Sequence, residues 1–315
     1  MRAVKGIHHI TAISGNAQQN LDFYAGVLGM RLVKKSVNQD DPGTYHLFYA
    51  DAEGHPGTDL TFFPWEQLAP PVMGHGLANE VLLEVPRGSL AFWSARLEKY
   101  KTFHDAETRF GTQVLPFIDP HGLKVALVED DSPRQFAPWG GSPIPEQHQI
   151  RGLYGARVWE RDESATAIFL QRVLGFEQLG TEGGWTRYGF RDAAGVVDIR
   201  ETPSERRGRW GTGAVHHLAW RVDDDAHQSD VRDQVTAAGA QPTAVIDRFW
   251  FKSVYFKEPG GVLFELATDG PGFAVDEDPK HLGETLVLPP WLEGNRAQIT
   301  GVLPKLQMPA PVARP

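Results

Sequence analysis

One succession of elements recurs four times along these 315 residues: a strand, an amphipathic helix, then two or three strands ending near a turn. The first copy opens at Gly6-Ile-His-His-Ile-Thr-Ala-Ile13, and its helix, about Ala17 to Leu28, places Leu21, Tyr24 and Leu28 on one face before Gly29 stops it. Strands are expected near 31–35, 44–50 and 58–63. The second copy opens at Asn79–Val85, has a helix carrying Leu90, Trp93, Leu97 and Tyr100, and turns at Asp119-Pro-His-Gly122. A Pro/Gly-rich loop, about 132–145, reads as a linker between halves. The third copy has a strand over 152–160, a helix over 164–174 and a late strand ending at Arg200. The fourth runs from Ala214 through a helix at about 227–238 to a closing hairpin. Two echoes support the repeat: Tyr24-Ala-Gly-Val-Leu-Gly against Leu170-Gln-Arg-Val-Leu-Gly, and Asp119-Pro-His-Gly against Glu258-Pro-Gly-Gly. The boundaries are modules of about 4–65 and 76–130 in an N-terminal half (4–145), and about 150–202 and 212–270 in a C-terminal half (148–270). Residues 271–315 form an extension with a helix near 293–303, a frayed end from Met308, and no expected function.

The closing hairpin, Arg248 to Asp269, carries Glu265 between Val262-Leu-Phe and Leu266-Ala, where a bare carboxylate is costly. Two distant pairs, His8-His9 and His216-His217, can complete a metal shell around it. With no cysteine in the chain, any metal must be held by imidazole and carboxylate. Strand alternation places His9 and His8 on opposite faces, and likewise His217 and His216, so each pair offers one ligand and one neighbour. The other copies carry Ala78-Asn79 and Tyr154-Gly155 where the pairs would fall, and about Ala126 and Ile199 at the glutamate position. Only copies one and four are equipped. Two His and one carboxylate form a facial set with open positions, for which iron(II) is the usual occupant. A three-residue loop, Pro259-Gly-Gly261, would pair Tyr255 with Glu265, whereas a two-residue loop would pair Val254 with it; Pro followed by two glycines suits a type I turn ending in a left-handed bulge residue, so the three-residue loop is expected. Histidines 46, 55, 75, 104, 121, 148, 227 and 281 read as solvated or structural.

A formal charge of −9 argues against a nucleic-acid partner. No apolar run is long enough for a membrane span, and the N-terminus lacks a signal peptide's apolar core. Cytoplasm is the default expectation.

Gly-Ile-His8-His9-Ile-Thr11, the late Val-His216-His217-Leu-Ala, the final Phe-Glu265-Leu-Ala and the four βαβββ modules resemble the vicinal oxygen chelate superfamily, over about residues 4 to 305. Within it the chain looks like the ring-cleaving dioxygenases that open hydroquinones, an impression extended by Arg248 and Tyr255, seven residues apart. The resemblance implies an α+β fold of two curved, mixed half-barrel sheets flanked by helices. It implies His9, His217 and Glu265 as iron(II) ligands, with Mn(II) or Zn(II) able to occupy a purified sample. It also implies Tyr255, Arg248, His216, His8 and Thr11 as the surrounding catalytic groups, a small aromatic diol and O2 as substrates, and a homo-oligomer. For both ligand histidines to meet at one ion, modules one and four must pair, leaving a metal-free second cup. Alternation suggests that His8 and His216 brace the ligand strands. One alternative is a glyoxalase-type metal-dependent isomerase or lyase, which wants a fourth ligand where only Thr61 or Phe62 stands. Another is a non-catalytic aromatic- or drug-binding protein. Phe48, Phe62, Trp210 and Trp250 fit core and pocket equally well.

Overall fold

The computed structural model of the chain describes residues 2–309. Its strands form two eight-stranded sheets. The first is built from the two ends of the chain: β1 (Ile7–Ser14), β2 (Arg31–Asn38), β3 (Asp41–Ala50) and β4 (Asp59–Pro64) join β13 (Val215–Val222), β14 (Ile246–Asp247), β15 (Lys252–Lys257) and β16 (Leu263–Thr268) in the order β14-β15-β16-β13-β1-β4-β3-β2. The second takes the middle: β5 (Leu77–Val85), β6 (Glu107–Arg109), β7 (Thr112–Ile118), β8 (Lys124–Glu129), β9 (Gly152–Glu160), β10 (Glu177–Glu182), β11 (Trp185–Gly189) and β12 (Val196–Glu201), ordered β10-β11-β12-β9-β5-β8-β7-β6. Each sheet has an antiparallel joint at its centre, β1 with β13 and β5 with β9, flanked by parallel pairs. This is the α+β arrangement of two curved mixed half-barrels that the sequence implies.

Alternation along each strand sorts the two faces. In the first sheet, Tyr49 and Phe62 turn toward the helix over residues 17–27, where Tyr24 meets them at ring distances of 5.4 and 4.4 Å. That helix starts on Asn16, whose side chain accepts from the Gln18 and Gln19 amides, and its second half, Asp22–Val27, widens into a π-helical turn. The third module repeats the device at Leu170–Leu174. Both repeats end on a left-handed glycine, Gly29 at φ 72° and Gly175 at φ 83°, which is why Val-Leu-Gly recurs in the sequence.

The extension is more than an appendage. Lys34, fully buried in the middle of β2, donates to the Phe273 carbonyl (2.9 Å) and to the carboxylates of Asp276 (2.7 Å) and Glu277 (2.5 Å). Asp276 also accepts from the Trp250 indole N–H at 3.1 Å. The segment expected to be without function therefore backs one wall of the inner cup. Helix Arg296–Val302 falls within the expected helical stretch. Residues 310–315, most of the expected frayed end, lie outside the described residues. Among the described residues, no helix is long and apolar enough to cross a membrane.

Candidate metal centre

His9, His217 and Glu265 come from three adjacent strands of the first sheet, in which His9 pairs with Ala219 and Ala219 with Glu265. Glu265 owes its aim to the hairpin. The Glu258 amide donates to the Val262 carbonyl at 3.1 Å, the loop is Pro259-Gly-Gly261 with Gly261 at φ 107°, and Tyr255 pairs with Glu265. The three-residue loop thus sets the register that puts Tyr255 and the carboxylate on one face.

The three side chains converge. His217 Nε2 lies 2.9 Å and His9 Nε2 3.3 Å from Glu265 Oε2, and the two Nε2 atoms are 3.1 Å apart. Each residue offers one donor atom within 4.8 Å of the others, and all three are buried. Ser253 holds the other carboxylate oxygen, its hydroxyl donating to Oε1 at 2.5 Å. Oε2 itself receives no well-directed hydrogen bond although fully buried. The short contacts to it are in range but misaligned, as expected of lone pairs aimed at a common point rather than at one another. Burial pushes the Glu265 carboxyl up, and the flanking His9 and His217 outweigh it, holding it well below the usual range. Burial lowers His217, against the opposing carboxylate. An anion and two imidazoles at this spacing fit a divalent cation.

The neighbouring histidines fix the ligands' tautomers. His8 Nε2 lies 3.2 Å from the Thr268 carbonyl, which can only accept, so that nitrogen carries the proton. Burial and the adjacent His9 push His8 down to about 3, so its ring is neutral and Nδ1 is an acceptor. His9 Nδ1, 2.9 Å away, must donate to it, which leaves His9 Nε2 with a free lone pair facing Glu265. His216 repeats the contact on the other strand, Nδ1 to His217 Nδ1 at 2.8 Å, and is likewise pushed down to about 3, by burial first and then by His217. Its ring stacks on Trp210 at 4.3 Å.

A narrow cavity opens above the cluster, lined in part by His9, His217, Phe48, Trp250, Arg248 and Tyr255. The Tyr255 ring meets His217 edge-on at 5.5 Å, and burial, with Glu265 adding to it, raises its hydroxyl far above neutral pH. Arg248 lies over the Tyr255 ring at 5.6 Å and grips Asp40 through two bonds of 3.3 and 2.8 Å, not its neighbour Asp247. The turn carrying Arg248, Trp250 and Phe251 passes through Phe249 at φ 74°, a conformation uncommon for a residue with a side chain. Phe251 packs against His8 and His9 at 5.4 and 5.3 Å.

Thr11 bonds Thr61 at 2.7 Å, and Thr61 bonds His46 Nε2 at 2.9 Å. Thr11 pairs with Thr61 as Ala219 pairs with Glu265, so Thr61 occupies the fourth-ligand position of the first module. His46, read from sequence as solvated or structural, lines the cavity instead, as do Asn38 and Gln39. Alternation carried the missed signal, since His46 shares a face of β3 with Phe48. Of the four unassigned aromatics, Phe48 and Trp250 line the cavity, Phe62 is core, and Trp210 is 43% exposed over His216.

Two positions need correction. In the second sheet Glu80 pairs with Arg157 and Arg157 with Asp198, so Asp198, and not Ile199, stands where Glu265 stands in the first. Glu80 and Gly155 occupy the places of His9 and His217, so Glu80, and not Asn79, answers to His9. Both central joints bulge at the matching residue, His8 in the first sheet and Asn79 in the second.

The family model for the glyoxalase/bleomycin resistance protein/dioxygenase superfamily matches residues 6–127 and 156–266. The chain is 45% identical over 301 residues to "Putative ring-cleaving dioxygenase MhqO" of Bacillus subtilis (strain 168), covering 95% of this chain and 96% of that protein. It is 35% identical to chlorohydroquinone/hydroquinone 1,2-dioxygenase of Sphingobium indicum, covering 94% and 95%. The crystal structure of a "putative dioxygenase" from B. subtilis superposes with a TM-score of 0.92 at 42% identity, covering 98% of this chain and 99% of that one. With both halves matched by the family model and relatives aligned nearly end to end, this chain belongs to the glyoxalase/bleomycin resistance protein/dioxygenase superfamily.

Proposed function

We propose that the chain is an iron(II)-dependent ring-cleaving dioxygenase that opens a hydroquinone-type aromatic diol with O2. The observation that carries this is the convergence of Glu265 Oε2, buried and without a directed partner, on two imidazole nitrogens at the floor of a small aromatic-walled cavity. The names of the full-length relatives, one a hydroquinone dioxygenase, support the substrate class.

His9, His217 and Glu265 would hold the ion, and Thr61, whose hydroxyl already bonds Thr11 and His46, makes a poor fourth ligand. That argues against the isomerase alternative. Bound iron(II) would supply open positions for a phenolic oxygen and for O2, with a path for electrons between them. The remaining work falls to the chain. Phe48, Trp250 and Phe251 exclude water and sandwich the ring. Tyr255, protonated at neutral pH, donates a hydrogen bond toward the reacting oxygens. Arg248, fixed by Asp40, presents a positive charge to the far polar group and to negative charge developing during ring opening. Neutral His46 offers a proton acceptor within the cavity. A cytoplasmic setting and a homo-oligomer belong to the same reading, and are testable by fractionation and sedimentation.

The test is anaerobic loading with iron(II), then oxygen uptake with hydroquinone and its chlorinated and methylated relatives. Uptake with at least one diol, abolished by His217→Ala, is expected. No uptake with any diol overturns the proposal.

A further inference from the structure

The second sheet repeats the pairing of the first with opposite chemistry. Where the first gathers lone pairs, the second gathers guanidinium groups. Arg187 pairs with Asp198 as Tyr255 pairs with Glu265, and makes two bonds to it of 2.7 and 2.9 Å. Arg109 makes two bonds to Glu80, at 2.7 and 3.2 Å. Both carboxylates are thereby engaged.

Arg157 lies between these two pairs and is left out of both. Its closest carboxylate oxygens are Glu80 at 3.6 Å and Asp198 at 3.9 Å, beyond hydrogen-bond reach, and its side chain is only 12% exposed. Among the described residues its guanidinium has no hydrogen-bond acceptor, and its Nε is fully buried. The Trp185 ring covers one face at 3.5 Å. Burial, then Arg109, lower its pKa, against Glu80, Asp198 and Glu107. A guanidinium carries five donors, and a buried one that uses none is uncommon. Close by, Asn79, 6% exposed, has a buried Oδ1 that also lacks a partner. Its amide N–H donates to the Leu77 carbonyl at 3.2 Å, which fixes the orientation of the group.

Both unsatisfied groups line a cleft of about 330 Å³ with Trp159, Trp185 and Phe117 on its walls and Phe103, 86% exposed, at its rim. The charged groups lining it are Arg109, Lys124 and Arg157 with Glu80 and Asp105, while Glu107 pairs with Arg109 and Asp198 lies behind Arg157. The cleft therefore offers a planar fork of donors, a lone acceptor and aromatic faces.

We propose that this cleft binds a single-ring aromatic carboxylate bearing a hydroxyl group, the carboxylate on the Arg157 guanidinium, the ring against the tryptophan and phenylalanine walls, and the hydroxyl donating to Asn79 Oδ1. A guanidinium matches a carboxylate through two parallel bonds, and flat walls match a flat ring. Nothing in this inference depends on what the metal cup does.

Calorimetric titration of the full chain with 4-hydroxybenzoate, benzoate and phenol separates the parts. The expected order is 4-hydroxybenzoate first, benzoate next, and phenol weakest. Arg157→Met should weaken both acids at least tenfold, and Asn79→Leu should weaken 4-hydroxybenzoate toward benzoate. His217→Ala should leave acid binding unchanged, which locates the site away from the metal cluster, and oxygen uptake with diols should survive Arg157→Met. Because Arg157→Met removes a buried charge, Phe103→Ala provides a second variant at an exposed position and should weaken the acids several-fold. The proposal is overturned if neither acid binds, if binding is lost with His217→Ala but kept in Arg157→Met, or if Phe103→Ala changes only the oligomeric state.

Discussion

The tautomer relay beneath the cluster makes a demanding prediction. His8→Leu removes the acceptor facing His9 Nδ1–H, a buried contact of 2.9 Å, and puts an apolar side chain at a position 3% exposed. An N–H left unpaired in the interior costs about 1–3 kcal/mol. His9 can escape that cost by moving the proton to Nε2, but then its lone pair no longer faces Glu265. On either route metal binding bears the loss, roughly 5–150-fold in affinity, and outer partners of metal-bound histidines elsewhere are worth about 10–100-fold. His8→Asn is the control, because its amide oxygen can accept from Nδ1–H in place of the imidazole, and it should recover most of the difference. The assay is an anaerobic iron(II) titration of the unmutated chain and both variants, with thermal unfolding of the metal-free proteins alongside. If His8→Leu folds normally and binds iron(II) as tightly as the unmutated chain, the relay does not set the ligand geometry.

Three further outcomes are expected. Tyr255→Phe should retain iron content and lower kcat by about 10–100-fold, the range for one positioned donor or proton-transfer group, and an unchanged kcat would reduce Tyr255 to packing. Lys34→Met strands the Asp276 and Glu277 carboxylates and should cost about 3 kcal/mol in chemical denaturation, with earlier proteolytic loss of the extension; equal stability would show that the strap is ornamental. Burial, then the adjacent Glu258, push the Glu160 carboxyl up to about 9 from its ordinary 4.5. Between those values the folded chain keeps a proton that the unfolded chain gives up, so this group lowers stability as pH rises. Glu160→Gln should therefore raise the melting temperature at pH 8, with the gain vanishing below about pH 5; a gain of equal size at both pH values would refute the assignment.

The helix ends of the first and third modules were legible in the sequence because they coincide with breakers that have a backbone reason, the left-handed Gly29 and Gly175. The hairpin register followed from loop length alone, since three residues between Glu258 and Val262 bring Tyr255 opposite Glu265. Periodicity reduced each His-His pair to one ligand without deciding which, and the family resemblance supplied His9 and His217. Three kinds of feature stayed hidden. Alternation puts His46 on the Phe48 face of β3, but only the tertiary placement of that strand turns the face to the cavity. A one-residue slip between the repeats hid Asp198, and with a period of two such a slip exchanges the two faces of the strand. The anchoring of Lys34 by residues more than 240 positions away depends on how the extension folds back, and its short irregular segments carry no period to read.

The seam at the centre of the first sheet joins residue 9 to residue 219, so the cup lacks half its wall until most of the protein has been made. Closing so long a segment is entropically slow, and the middle of the chain, which completes its own sheet, is the natural first body to form. On the proposed function, an ion can be taken up only after Glu265 has cleared the ribosome and the two ends of the chain have met.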